Sequence, residues 1–324
     1  MSDPKTVLRL PVLDVSLPVV PETLSVIAEA CKEWGFFLIT NHGVTKDLYE
    51  DLDRLCRQFF DLPPNVKVKL GPFSSAKTYT PHFIASPFFE SIRVSGPDFL
   101  SSAHSSADML LLDQQKQEFC DVLEEYCTKM SELSNKIIQL MLMILGDGLS
   151  EKYYKSEFGN CHGYLRVNHY SPPEDIKDEV EGLGTHADMS CITIVYQDDV
   201  GGLQVRSKDG EWLHINPQDG ILVVNVGDML QAWSNDKLRS SEHRVVLKKP
   251  INRFSLAFFW SFEDDKVITS PEDVVGEGNA RLYKPFVSSE YVKFRESSKP
   301  GMFEKVGFTV KGFAGAEPPL DAHT

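Results

Sequence analysis

"GTHADMSCITIVYQDDVGGLQVRS", residues 184–207, decides how the second half of this chain is read. Within it, "SCITIVYQ" is apolar and β-branched and runs into the turn-forming "DDVGG". It reads as a strand, with "GGLQVRS" as the next one. Just before the first strand, His186 and Asp188 stand one residue apart. Side chains at i and i+2 of a strand share a face, so this spacing predicts an imidazole and a carboxylate pointing the same way. H-x-D alone is short enough to arise by chance, and the surrounding chain has to give it meaning.

Working outward, "YLRVNHY", "EWLHIN", "GILVVNVGD", "EHRVVLK" and "RFSLAFFWSF" are short runs of the same kind, separated by Gly, Asp, Asn or Pro. "SKDG" at 207–210 has the composition of a hairpin turn. Strands at this regular spacing predict a sandwich or barrel, with a jelly roll leading. Upstream the period is helical: Leu24, Ile27, Ala28 and Cys31, then Leu48, Leu52, Leu55 and Phe59, fall on single helix faces, with "GFFLITNHGV" a strand between them. A long helix is expected from about Gln114 to Leu145, with Phe119, Val122, Leu123, Tyr126, Met130, Leu133 and Ile137 as its buried stripe and Gly146 and Gly148 ending it. Residues 71–112 are rich in Ser and Pro yet carry five phenylalanines, which predicts a long ordered loop rather than a linker.

The fold class expected is therefore α+β: a double-stranded β-helix (jelly-roll) core flanked by helices, forming a single catalytic unit. Along the chain, 1–112 is the N-terminal helix and strand region with the aromatic substrate loop. Residues 113–160 are the supporting long helix, 161–265 the jelly-roll core, and 266–324 a C-terminal extension of helix and coil.

Composition removes several classes. A chain of 324 residues with 42% hydrophobic and 25% charged side chains has ordinary globular proportions. A formal charge of −14 repels a nucleic-acid backbone, and no basic patch offsets it. No apolar run approaches the roughly 18 residues of a membrane span, and the first residues lack the apolar stretch of a secretory signal. The six cysteines form no C-x-x-C pair and read as buried thiols in a reducing compartment. The expectation is a cytoplasmic monomer whose partner is a small hydrophobic molecule, with neither nucleic acid nor membrane involved.

Three features fall within the β region. His186 and Asp188 need a third ligand from a distant strand, and His243 in "SSEHRVVL" is the natural candidate. Two histidines and one carboxylate on one face suit non-haem Fe(II), because the opposite coordination positions stay open. Arg253 and Ser255 share a strand face ten residues further on, a fork and a hydroxyl suited to clamp a carboxylate. Asn168 and Tyr170 offer an amide and a phenol at the same spacing. Each alone has an ordinary reading: a satisfied histidine, a salt-bridged arginine, a capped strand end.

Taken together, these segments resemble the plant-type 2-oxoglutarate- and Fe(II)-dependent dioxygenases, on the gibberellin-oxidase side of the isopenicillin N synthase-like superfamily. "LPVLDVS", "ACKEWGFFLITNHGV", "FFDLPPNVK", "NHYSPP", "HADMSCITIVYQD", "GGLQV", "EWLHINP", "LVVNVGDMLQAWSN", "SEHRVV" and "RFSLAFFW" follow in family order over nearly the whole chain. The resemblance implies His186, Asp188 and His243 as the catalytic iron ligands. It implies Arg253 and Ser255, with Tyr170 and Asn168 assisting, on the distal carboxylate of 2-oxoglutarate. O2 is the second cosubstrate and ascorbate the accessory reductant. The implied reaction is hydroxylation or desaturation of a gibberellin-like hormone or specialised metabolite, with release of succinate and CO2. The expected substrate wall is Phe83, Phe88, Phe89 and Arg93, beside His82, with Trp233 and Phe259 on barrel strands. Ile192, Ile194, Leu222 and Val224 either line the barrel or pack it against helices. Two other readings keep the fold: an iron oxidase that does not use 2-oxoglutarate, and a non-catalytic metal-binding jelly roll. A zinc hydrolase could use the same three ligands but would not need the clamp.

Overall fold

The computed structural model describes residues 7–70, 79–82, 86–107, 113–297 and 308–316. In chain order it runs β1 (Val12–Asp14), α1 (Pro21–Glu33), β2 (Phe36–Thr40), α2 (Lys46–Phe60), α3 (Pro64–Lys67), β3 (Tyr79–Thr80), β4 (Phe89–Ser95), α4 (Phe99–Ala107), α5 (Asp113–Leu145) and α6 (Leu149–Glu157). The β-rich half follows: β5 (His162–Tyr170), β6 (Val180–His186), β7 (Ile192–Gln197), β8 (Leu203–Arg206), β9 (Trp212–His214), β10 (Leu222–Val226), α7 (Asp228–Trp233), β11 (His243–Leu247) and β12 (Arg253–Ser261). The chain closes with β13 (Val267–Ile268), α8 (Glu272–Val275), β14 (Phe286–Val287), α9 (Ser288–Glu296) and α10 (Val310–Ala314). Among the described residues no helix is long and apolar enough to cross a membrane.

Eight strands form one sheet in the order β1-β2-β10-β7-β12-β5-β4-β3, and four form a second in the order β6-β11-β8-β9. The two face each other. Leu203 and Val205 of the small sheet pack with Phe36, Leu38 and Val223 of the large one at one end; Val245 and Leu247 pack with Phe89 and Tyr170 at the other. The result is the expected α+β jelly-roll architecture. Strands β2 and β4 pair with β10 and β5, so the segment before residue 113 completes the same sheet as the segment 161–265.

Helix α5 covers the outer face of the large sheet. Phe119, Leu123, Tyr126, Met130, Leu133 and Ile137 are buried together with Leu165, Ile192, Ile194, Leu222, Val224, Leu256 and Phe258. Ile192, Ile194, Leu222 and Val224 thus pack the sheet against helices and do not line the barrel. The barrel interior takes the alternate residues of the same strands.

The stretch 71–112 differs from the loop expected of it. Its described part contains β4 and α4. "FFESIRVS" alternates on a period of two: Ile92 and Val94 join the main core, while Ser91, Arg93 and Ser95 face inward. Serine content obscured a strand whose inner face is polar. Behind β4, Glu90 forms a buried network. Its carboxylate accepts from Lys67 Nζ at 2.7 Å and Tyr79 OH at 2.6 Å and faces His169 Nδ1 at 3.3 Å, while Lys67 Nζ also donates to Phe60 O. The network ties α3 and the end of α2 to β4.

Burial alone would raise the Glu90 pKa, but hydrogen bonds from His169, Lys67 and Tyr79 outweigh it and hold the carboxyl at about 2. Because the folded group titrates below an unfolded glutamate, its contribution is present above the ordinary carboxylate pKa of about 4.3 and disappears as pH falls toward 2. Glu90→Gln is expected to leave Lys67 buried without its partner and to cost ~3–5 kcal/mol. Urea denaturation at pH 7 measures the loss, and at pH 3 the gap between wild type and variant should narrow.

Candidate active site

His186 is the last residue of β6 and His243 the first of β11, and the two are direct cross-strand partners. Pairing places both imidazoles on one face, with ring centroids 4.3 Å apart. Each ring is aimed by a carbonyl two residues before it. His186 Nδ1–H donates to Gly184 O at 2.7 Å and His243 Nδ1–H to Ser241 O at 3.1 Å, which leaves both Nε2 lone pairs directed into the barrel. Phe36 packs edge-on against His243 at 5.6 Å.

Asp188 arrives differently from the strand reading. It lies in the coil between β6 and β7, so two-residue alternation is not what turns it inward. Two side chains of the large sheet do that: Thr193 Oγ1 on β7 and Asn225 Nδ2 on β10, themselves register partners, donate to Asp188 Oδ2 at 2.6 and 2.8 Å. The other oxygen, Oδ1, then faces His186 Nε2 at 3.7 Å and His243 Nε2 at 3.6 Å. Among the described residues, His186, Asp188 and His243 are the one group of three such side chains whose ligand atoms all lie within 4.8 Å of one another.

The charge state suits a cation. Burial and the neighbouring His243 push the His186 pKa down to about 3, so its ring is neutral and ready to ligate at ordinary pH. Burial would raise Asp188, but the two imidazoles and the donors Thr193 and Asn225 outweigh it and keep the carboxyl below its usual range. A two-nitrogen, one-oxygen donor set on one side of an open cavity fits a non-haem iron with free positions opposite.

Along the inner face of β7, four residues from Thr193 and therefore roughly 13 Å along the strand, lies Gln197, paired with Ser255 of β12. There Arg253, only 1% exposed, donates through Nε to Gly201 O and through Nη1 to Ser255 Oγ at 3.0 Å, with Nη2 in a long contact of 3.5 Å to Gln197 Oε1. Its guanidinium lies over the Tyr170 ring at 4.7 Å, and Asn168 Nδ2 donates to Ser255 Oγ at 3.4 Å. Arg253 pairs with Tyr170 and Ser255 with Asn168 in the β5–β12 register, so the four residues expected together are together. No carboxylate of the described residues makes an ion pair with Arg253. Its hydrogen-bond partners are neutral, with the Asp198 carboxylate acting on it only as a nearby charge, and a buried fork held this way fits the distal carboxylate of 2-oxoglutarate.

The residues expected around the substrate divide. Phe259 lies on β12, its strand positions paired with Thr193 on one side and Tyr164 on the other, and it stacks on the Tyr164 ring at 4.7 Å. Arg93 lies on β4 with its guanidinium 3.8 Å from the centre of the same Tyr164 ring, and it pairs in register with Arg166. These therefore share the inner face that leads to Asp188. Phe89 tilts against Tyr170 at 5.3 Å and Phe88 packs beside it, so both sit at the Arg253 end. His82 is largely exposed, 3.8 Å from Glu90. Phe83 lies outside the described residues.

Trp233 is not on a strand and does not reach the cavity. It ends α7, fully buried, edge-on to Phe158 at 5.0 Å and Tyr153 at 5.9 Å. A short apolar run such as "DMLQAW" reads equally as strand or helix, and the extended Gly227 starts the helix here.

Sequence reading did not single out Thr193, Asn225, Gln197 or Tyr164. A signal for Asn225 existed, because an amide within "LVVNV" must find a partner once that strand is buried.

A jelly roll with an open His-Asp-His face near one end of its cavity and a buried arginine near the other has the form of a mononuclear non-haem iron oxygenase. The chain belongs to the 2-oxoglutarate/Fe(II) oxygenase superfamily. Residues 161–261 match the model described as the 2OG-Fe(II) oxygenase superfamily, and residues 10–90 the model for the non-haem dioxygenase in morphine synthesis N-terminal region. The chain is 53% identical to a gibberellin 20-oxidase-like protein of Arabidopsis thaliana, over 96% of this chain and 98% of that one. It is 36% identical to gibberellin 20 oxidase 2 of the same plant, over 85% of this chain and 74% of that one. Among solved structures, JOX2 in complex with 2OG, Fe, and JA superposes with a TM-score of 0.74 at 28% identity, covering 90% of this chain and 86% of that one. The protein is thus a dioxygenase that works with Fe(II), 2-oxoglutarate and O2.

Thr193→Val and Asn225→Leu are each expected to release the Asp188 carboxylate and weaken divalent metal binding about 10–100-fold, the usual effect of losing a partner behind a ligand. Calorimetric titration with Mn(II) measures it.

Proposed function

We propose that this enzyme hydroxylates or desaturates a small hydrophobic metabolite of the gibberellin kind that carries a carboxylate, releasing succinate and CO2. In this reading His186, Asp188 and His243 hold the iron, and Arg253 and Ser255 hold the distal carboxylate of 2-oxoglutarate. Tyr170 supports the guanidinium and Asn168 the hydroxyl. When bound, iron and 2-oxoglutarate supply oxidative decarboxylation and the power to oxidise an unactivated C–H bond; the protein supplies position and dryness.

The observation that carries the substrate reading is the row Arg93–Tyr164–Phe259 on the inner face. It offers a guanidinium for an anionic end and an aromatic surface leading toward Thr193 and Asp188. Similarity to gibberellin 20 oxidases supports the same class. Phe88 and Phe89 border the cosubstrate end rather than this row, and Phe83 completes the proposed wall as an expectation from sequence. The reading keeps a monomer in the cytoplasm, and six free cysteines are in keeping with that reducing compartment.

Incubation with gibberellin acids, Fe(II), 2-oxoglutarate and ascorbate, read by mass spectrometry, tests the proposal. Expected is one succinate per oxidised product, +16 mass units for hydroxylation or −2 for desaturation. Turnover of none of these acids, by an enzyme active on another hydrophobic compound, would overturn the gibberellin assignment. Arg253→Ala is expected to weaken 2-oxoglutarate binding at least ~30-fold, about 2 kcal/mol or more, measured on the Mn(II)-loaded protein. Wild type should prefer a free acid to its methyl ester, and Arg93→Gln should remove most of that preference by raising KM for the acid roughly 10-fold or more.

A further inference from the structure

The coil that carries Asp188 is bound by a residue far along the chain. Residues 187–191 lie outside the strands, yet four of their five carbonyls accept hydrogen bonds from other segments. Gly227, Asp228 and Met229 N–H donate to the carbonyls of Cys191, Asp188 and Ser190 at 2.9, 2.8 and 3.2 Å. The approach is so close that a Cβ on Gly227 would stand 2.1 Å from Ser190 O, so that position needs glycine. The carbonyl of Ala187, between the two proposed ligands, is held from elsewhere in the chain. It accepts from Arg295 Nη2 of α9 at 2.7 Å, across 108 residues of sequence.

The other arm of the same guanidinium, Nη1, donates to Asp228 Oδ2 at 2.7 Å and to Tyr291 OH at 2.9 Å, and Tyr291 OH donates to Asp228 Oδ2. Arg295 and Asp228 are 4% and 3% exposed. The bonds close a ring: Asp188 C=O to Asp228 N–H, Asp228 carboxylate to Arg295, Arg295 to Ala187 C=O. The ring encloses the peptide that joins Ala187 to Asp188. A planar fork is suited to this, because it fixes two acceptors at a set angle, which an ammonium does not.

We propose that Arg295 is a positioning residue of the metal centre, acting through the Ala187 carbonyl and Asp228 to set the separation of His186 and Asp188. This rests on the reading of His186, Asp188 and His243 as metal ligands. It makes α9, which lies beyond the family-matched residues 161–261, a working part of the centre. A purely structural role would lower the melting temperature of the protein with and without metal alike. A positioning role lowers the rise in melting temperature that metal brings, since ligand binding stabilises only in proportion to its affinity.

The test titrates full-length wild type, His186→Ala, Arg295→Met and Arg295→Lys with Co(II), reading the visible d–d spectrum and the melting temperature with and without metal. Expected is a 10–100-fold weaker Co(II) affinity and an altered d–d band in Arg295→Met, with a smaller loss in Arg295→Lys, which keeps charge but not the fork. Folded Arg295→Met with wild-type affinity and spectrum would overturn the proposal. If the methionine variant does not fold, Arg295→Lys decides: weakened binding supports the proposal and unchanged binding and spectrum overturn it. Wild-type affinity in His186→Ala would instead overturn the ligand assignment itself, and the positioning role with it.

Discussion

The site depends on how one carboxylate is split between two tasks. Asp188 is 5% exposed, and a buried carboxylate must have its oxygens satisfied or lose its charge. Thr193 and Asn225 satisfy Oδ2 and so orient the group, leaving Oδ1 turned toward the two Nε2 lone pairs, an arrangement that suits a shared cation. The large sheet thus supplies the orientation of a proposed ligand whose neighbours, His186 and His243, belong to the small sheet. The metal face exists only where the two sheets meet, and the packing between them serves it directly.

The opposite end of the barrel solves a related problem with the opposite sign. Arg253 is almost fully buried and its partners are neutral: a carbonyl, a hydroxyl, an amide oxygen and a tyrosine ring. A guanidinium whose hydrogen-bond partners are neutral attracts an anion in a low-dielectric surround. The inner face of β7 therefore runs from Thr193, beside the proposed metal site, to Gln197, beside the proposed carboxylate site.

Much of this was legible in sequence because strands β7 to β12 are short apolar, β-branched runs punctuated by turn residues. His243, Arg253 and Ser255 could be found from that pattern, His186 from its spacing to Asp188, and the helix stripes of α2 and α5 from theirs. Strand β6 was not found. Gly182 and Gly184 occupy positions where a strand signal needs side chains; a Cβ on Gly182 would come within 3.0 Å of the Tyr170 ring and 3.1 Å of Leu247. Trp233 was misplaced because six residues are too few to separate helix from strand. Strand β4 was hidden by serines that face the interior. Thr193 and Arg295 left no local signal, since their roles come from contacts between distant segments.

The most direct measurement is the visible spectrum of the purified protein mixed anaerobically with Fe(II) and 2-oxoglutarate. A weak charge-transfer band, present in wild type and absent in His186→Ala, is the predicted result, because only a keto acid chelating iron in this pocket produces it. A correctly folded wild-type protein that binds both components and gives no band would contradict the arrangement of metal and cosubstrate described here.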